Sequence, residues 1–266
     1  MEAAAKNHQS VSNGAELQLL ALLETLYNSR NPTRRWLHCT RRDWITAKVA
    51  EYASGRPRRA LEVGFGAGAY LPALCESFRE VVASDLDQAH LDHARAISAK
   101  YPNLCLATDD ITASELPEHS FDLVLCSEVI EHINDTTRVL SGVRRLLAPG
   151  GILILSTPQR YSLIEMACKV AFMPGVISVV RRIYGEPVFE AGHINLMTSN
   201  RVKSALEHQG FNVLERNKSG MYLPFLAEFA GDSALRMKQW LEQKLRNGPL
   251  SWMLWTQYYV ARRVGA

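Results

Sequence analysis

Three groups of residues in this sequence could do chemistry. The first is Leu61-Glu-Val-Gly-Phe-Gly-Ala-Gly68, an apolar run that opens into glycines. Glycine lets a backbone turn tightly and approach a ligand with no Cβ in the way. The second is a set of carboxylates that follow apolar runs: Asp85 in Val-Val-Ala-Ser-Asp-Leu-Asp, then Asp109-Asp110-Ile111. The third is Ser127-Glu128-Val-Ile-Glu131-His132, to which a later His193 can be added from Gly192-His-Ile-Asn-Leu-Met-Thr198. Carboxylates accept hydrogen bonds from hydroxyls and amines, and imidazoles move protons near neutral pH.

The glycine turn is ambiguous by itself. Gly64, Gly66 and Ala69 also satisfy the dinucleotide pattern G-x-G-x-x-G/A, so a nicotinamide-dependent reductase competes on this feature. Glu62 separates the two readings. Next to a pyrophosphate its charge would be repelled, whereas next to the sulfonium and amino group of S-adenosylmethionine it is favourable. Asp85, at the end of a strand, can accept both hydroxyls of a ribose, while Asp87 suits the role of helix cap. Asp110 can take the exocyclic amine of an adenine with Ile111 packed on the ring, and the adjacent Asp109 leaves open which carboxylate does so.

These residues need a frame, and the chain supplies a repeating one. Short apolar runs at Arg59–Val63, Glu80–Ser84, Leu104–Thr108, Phe121–Cys126 and Ile152–Ser156 read as strands. Helices are expected from the glycine turn to about Phe78, over Gln88–Lys100, directly after Glu128, and over Thr198–Gln209. Strands alternating with helices predict a doubly wound, mostly parallel α/β sheet. Runs such as Leu-Val-Leu are continuous rather than alternating, as expected of strands covered on both faces. Two further strands are expected at Phe211–Arg216 and Thr256–Arg262. Ahead of the sheet, Ala15–Tyr27 reads as an amphipathic helix ended by Asn31-Pro32, and Thr40–Tyr52 as a second helix. The expected division is an N-terminal helical segment over 1–57, a cofactor-binding core over 58–157, a lid over 158–195, and the rest of the core over 196–266 with a second lid segment at 218–255.

Taken in order, the glycine turn, Asp85, Asp110-Ile111, Ser120-Phe-Asp-Leu-Val124, Glu128-Val-Ile-Glu-His132 and Leu147-Ala-Pro-Gly-Gly151 resemble the motif series of the class I S-adenosylmethionine-dependent methyltransferases. The resemblance covers roughly residues 58 to 217. It implies a Rossmann-like, seven-stranded sheet whose last strand is antiparallel. It also implies S-adenosylmethionine as cofactor, contacted by Glu62, Gly64, Gly66, Asp85, Leu86, Asp110, Ile111 and Ser127. The stretch from Asp110 to Leu116-Pro117 is longer than is usual in the family, which loosens the adenine assignment.

The acceptor side carries less information. The i, i+3, i+4 spacing of Glu128, Glu131 and His132 would place all three on one side of a helical turn. A similar spelling occurs in ubiquinone-biosynthesis O-methyltransferases and small-RNA 2′-O-methyltransferases, where it is associated with a divalent metal. Three roles stay open: a metal set of Glu128, Glu131, His132 and His193, a general base at His132 or His193, or a structural role. Asn31-Pro32-Thr33-Arg34 resembles the opening helix of the quinone enzymes, which makes Arg34 a candidate for the cofactor carboxylate. Aromatic and apolar residues in the two lid segments, among them Tyr161, Phe172, Met173, Met221, Tyr222 and Trp252, favour a hydrophobic or aromatic small-molecule acceptor.

Composition narrows the classes. The chain has 266 residues, 47% hydrophobic and 21% charged, enough to bury a full core without disulfides or metals. A formal charge of +3 does not call for nucleic acid, which counts against the RNA alternative. Five cysteines with no C-x-x-C pair fit a reducing compartment, with Cys105 and Cys126 expected in the core. The start lacks the features of a signal peptide, and no run is long enough to span a bilayer, so a cytoplasmic protein is expected. Tyr161–Val180, followed by Arg181-Arg182, could still touch a membrane surface peripherally.

Overall fold

The computed structural model describes residues 26–29, 31–53, 59–173, 175–178, 182, 192–223 and 231–265. The helix expected at Ala15–Tyr27 lies outside them except for its last two positions, as does most of the second half of the first lid segment.

The first described helix, α1 (Pro32–Ala53), begins well before the expected Thr40. Asn31-Pro32 starts this helix. Asn31 Oδ1 accepts from the backbone N–H groups of Thr33 at 2.9 Å and Arg34 at 3.1 Å, and Pro32 sits where its missing N–H costs nothing. The sheet then forms from β1 (Arg59–Val63), β2 (Glu80–Asp85), β3 (Leu104–Thr108), β4 (Phe121–Ser127), β5 (Leu147–Pro158), β6 (Phe211–Ser219) and β7 (Thr256–Arg263). Between them lie α2 (Leu71–Ser77), α3 (Gln88–Ser98), α4 (Thr136–Leu146), α5 (Leu163–Ala171), α6 (Ser199–His208) and α7 (Gly231–Leu245).

The seven strands lie in the order β3-β2-β1-β4-β5-β7-β6. β1 to β5 pair in parallel, and β7 runs antiparallel to both β5 and β6. This is the expected seven-stranded sheet with an antiparallel last strand. Each central strand feeds two cores. Leu123, Leu125 and Ile154 pack with Ile45 and Val49 of α1 and Leu71 and Leu74 of α2. Val124, Cys126 and Leu153 pack on the other face with Val139 and Val143 of α4 and Val202 and Leu206 of α6. Side chains alternate across a strand, so a strand apolar at every position is the sequence form of burial on both faces.

Four expectations are corrected. No α-helix follows Glu128 directly: a 3-10 turn (Ile130–His132) comes first, and α4 starts at Thr136. Asp135 dictates that start by accepting from Thr137 and Arg138 N–H. β5 begins at Leu147, several residues early, because Leu147 already pairs with Phe121 ahead of a register shift to Ile152. β6 continues to Ser219, past the expected Arg216 and into the stretch taken for lid, since its whole length pairs with β7. Cys105 is exposed while Cys126 is buried, because β3 is an edge strand whose outward positions have no cover. No described helix is long and apolar enough to cross a membrane.

Candidate active site

The direction of the crossovers reverses between β1 and β4, which are adjacent in the sheet. A crevice opens at such a switch point, beyond the carboxyl ends of the strands. The glycine turn leaves β1 there. Gly64, Gly66 and Gly68 have φ of 64°, 53° and 72°, a region closed to most L-residues. Left-handed positions thus fall at G-x-G-x-G and stop before Ala69. Gly64 N–H donates to Ser84 O at 2.8 Å, and Gly66 N–H to Asp85 Oδ2 at 3.1 Å, tying the turn to the end of β2.

Glu62 lies beneath this turn, 2% exposed, and its Oε2 is buried without a hydrogen-bond partner. Burial first, and the charge of Asp85 second, push its carboxyl well above the usual range. An orphaned buried acceptor of this kind suits a cationic ligand. Asp85 is more fully engaged. Its Oδ1 accepts from Asp87 N–H at 3.0 Å, and its Oδ2 faces His90 Nδ1 at 3.0 Å as well as Gly66. Burial alone would raise the Asp85 carboxyl, but the hydrogen bonds from His90, Asp87 and Gly66 hold it below its ordinary value. Asp87 caps α3 through Ala89 N–H at 2.8 Å, as expected. Leu86 is 66% exposed at the rim.

At the end of β3 the two aspartates divide their work. Asp110 Oδ1 accepts from Thr112 N–H and Oγ1–H, each at 2.8 Å. Asp109 Oδ1 takes Glu115 N–H at 3.0 Å, while its Oδ2 is buried with no partner. Ile111 is buried in the core, its carbonyl against Gly142 of α4.

At the end of β4, Ser127 Oγ lies 2.8 Å from Ser156 Oγ and 3.5 Å from Tyr70 Oη. Glu128 follows with φ 58°, an uncommon conformation for a non-glycine residue. It is turned onto Arg41 of α1 and accepts from Ser156 Oγ–H at 3.0 Å. The arginine that α1 brings to this place is therefore Arg41, about two turns beyond Arg34. Arg41 also stacks on Trp255, with its guanidinium carbon 5.3 Å from the ring centroid.

Of the three, Glu128 lies ahead of the 3-10 turn and is held by Arg41 and Ser156, while Glu131 and His132 both belong to the turn. Glu131 is fully buried; one oxygen accepts from Thr157 Oγ1–H at 3.0 Å, and Oε1 has no partner. Burial, then the charge of Glu128, pushes its carboxyl well above the usual range. His132 lies 5.4 Å ring to ring from His193. The later strand of chain is pinned there by Ile194 and Asn195 N–H groups, both donating to Glu131 O at 3.0 Å. One ligand atom each of Glu131, His132 and His193 lie within 4.8 Å of one another. The four-membered set is not assembled, since Glu128 is committed to Arg41.

The glycine turn with Asp85, the Ser127–Glu128 corner and the His132–His193 pair thus stand at the ends of β1, β2 and β4, with Asp109 and Asp110 beyond β3. Against known families, residues 34–216 match a family model described as a methyltransferase domain. The chain belongs to the S-adenosylmethionine-dependent methyltransferases. It is 31% identical over 135 residues to a probable S-adenosylmethionine-dependent methyltransferase of Mycolicibacterium smegmatis, covering 51% of this chain and 47% of that protein. It is 32% identical over 148 residues to a ubiquinone biosynthesis O-methyltransferase of Ruegeria pomeroyi, covering 50% of this chain and 59% of that protein. The chain thus spans about half the length of these curated relatives. The crystal structure of the N-methyltransferase NodS from Bradyrhizobium japonicum WM9 with S-adenosyl-L-homocysteine superposes with a TM-score of 0.58 at 17% identity, over 94% of this chain and 97% of that one. At that identity the likeness concerns the fold.

Sequence reasoning missed Arg41, Tyr70, His90, Ser156, Glu165 and Trp255. Of these, only Ser156 carried a local signal, as the polar residue closing an apolar strand. His90 meets Asp85 from five residues on and Tyr70 closely follows the glycine turn, whereas Arg41, Glu165 and Trp255 meet the site through contacts between distant segments.

Proposed function

We propose that this chain transfers the methyl group of S-adenosylmethionine to a hydroxyl of a hydrophobic or aromatic small molecule. The observation that carries the reading is the His132–His193 pair, 5.4 Å apart, at the same sheet edge as the glycine turn. Bound at that edge, the cofactor supplies an activated methyl group whose departure leaves a neutral thioether. The protein's task is alignment and proton removal. Glu62 offers a buried, unpartnered carboxyl oxygen to a cationic cofactor, Asp85 faces the ribose, and a histidine takes the acceptor's proton. An amine acceptor that is already neutral needs no such base, so imidazoles favour oxygen. The name of one relative, a ubiquinone biosynthesis O-methyltransferase, supports transfer to oxygen. Exposed Tyr161, Met166, Val170, Met173 and Ile194 supply apolar wall for such an acceptor. The exposed α5 residues among them also suit peripheral contact with a membrane. Five free thiols suit a reducing, cytoplasmic setting.

The test is a panel of phenols, catechols and primary amines incubated with protein and methyl-labelled S-adenosylmethionine. Label on a phenolic oxygen is expected; label on amines alone would overturn the oxygen assignment. A second reading, metal-assisted transfer, draws on the grouping of Glu131, His132 and His193. Turnover is expected to persist in excess chelator. Its loss, with recovery on adding magnesium or manganese, would replace the base by a metal.

A further inference from the structure

Either histidine of the pair could accept a proton, and their surroundings distinguish them. His193 Nδ1 lies 3.3 Å from Glu165 Oε1 and 3.4 Å from Oε2. Glu165 is on α5, 8% exposed, and is held from two sides. Ser162 Oγ caps α5 by accepting Glu165 N–H at 3.3 Å, fixing the backbone. Trp255 Nε1–H donates to Glu165 Oε1 at 3.3 Å, fixing the carboxylate. Trp255 in turn lies under the Arg41 guanidinium and, edge-on at 5.5 Å, beside His38. Three separate parts of the chain therefore converge to place one carboxylate against one ring nitrogen. His132 has another imidazole as its ring neighbour, and among the described residues no carboxylate is paired with its ring as Glu165 is with that of His193.

Resting on the hydroxyl-methylation reading above, we propose that His193 is the base of the reaction and that Glu165 is its positioning residue. Glu165 holds the proton of neutral His193 on Nδ1 and leaves the Nε2 lone pair free for the acceptor hydroxyl. In the step, Nε2 takes the hydroxyl proton, the acceptor oxygen bonds to the methyl carbon, and the carbon–sulfur bond breaks with its electron pair on sulfur. The positive charge of the sulfonium is thereby replaced by that of the imidazolium beside Glu165, and the proton later leaves to water. Glu165 thus stabilises the charge formed on His193 as well as choosing its tautomer.

The test does not require the natural acceptor. Full-length protein with nitrogen-15 histidine, saturated with S-adenosylhomocysteine, is studied by long-range proton–nitrogen NMR at neutral pH, with His193→Asn assigning the signals. The expected wild-type His193 is the Nδ1–H form. Glu165→Gln is expected to shift it toward a mixture with the Nε2–H form while S-adenosylhomocysteine affinity stays within about two-fold. Glu165→Asp, which pulls the carboxylate back by one methylene, serves if the glutamine variant does not fold and should move the equilibrium the same way. An Nε2–H wild type, or a tautomer indifferent to both substitutions, overturns the proposal. Failure of S-adenosylhomocysteine to bind the wild type would instead strike the functional reading and leave the tautomer result standing. On a phenol the wild type methylates, Glu165→Gln should lower kcat at least ten-fold with little change in KM for the cofactor. An unchanged kcat would remove Glu165 from the reaction.

Discussion

Asp85 and Glu62 stand one strand apart and hold opposite electrostatic positions. Asp85 accepts three hydrogen bonds and is kept ionised, while Glu62 is buried with an orphaned oxygen and is pushed toward protonation. Removing Asp85 takes away both the proposed ribose acceptor and the anchor of Gly66 N–H. Asp85→Ala is expected to weaken S-adenosylhomocysteine binding at least ~10-fold by calorimetry, in line with hydrogen bonds to charged groups; unchanged affinity would contradict the ribose role. Glu62 works against the fold. Its folded pKa lies above the unfolded value of about 4.3, so the folded state holds the extra proton between the two, and stability falls as pH rises through that window. Glu62→Gln should therefore raise the melting temperature of the ligand-free protein at pH 7 and flatten its decline above about pH 5, while weakening S-adenosylhomocysteine. A lower melting temperature would show that the ionised carboxylate stabilises the fold.

At the scale of elements, two close approaches set the shape of the crevice. A Cβ on Gly64 would sit 2.7 Å from a methyl of Val129, just after β4, so the glycine turn and the β4 corner touch directly. A Cβ on Gly142 would fall 1.9 Å from Ile111 O, so α4 lies against the backbone of the loop after β3. Backbone cannot swing aside as a side-chain tip can. Gly142→Ala is expected to cost about 1–3 kcal/mol, the range for overpacking, and to displace Asp110-Ile111. Paired urea melts and S-adenosylhomocysteine titrations would read both effects; a variant as stable as wild type would show that α4 can recede at no cost. The fold as a set of elements was legible because its signals are local: apolar runs for strands, glycine for the turn, Asp87 for a cap. The second helix starts at Pro32 rather than Thr40 because a pair that can end one helix can also start the next, as the Thr33 and Arg34 N–H groups on Asn31 show.

For the whole molecule, ligand linkage offers the broadest check. A ligand that binds only the folded state at one hundred times its Kd adds about 2.7 kcal/mol. For a protein of this size that is a rise in melting temperature of roughly 5–10 °C. S-adenosylhomocysteine should produce it and NADH should not, and the reverse result would move the chain to the reductases. The acceptor side depends on the same global scale. Trp255, just before β7, meets Arg41 of α1 and Glu165 of α5, and Glu165 meets His193, which precedes α6. That convergence requires β7 to be inserted antiparallel between β5 and β6.

By itself the sequence determined the strand and helix alternation, the glycine turn, and the cofactor class, because periodicity, left-handed glycines and a carboxylate ahead of the turn act over a few residues. It also named His132 and His193. Only the tertiary structure decided what those residues do to one another. It took Glu128 out of the proposed metal set by turning it onto Arg41, and set Glu165 beside His193. Each of these is a contact between segments far apart in the chain. Their energy comes from burial and charge pairing across the fold, and no local spacing encodes it.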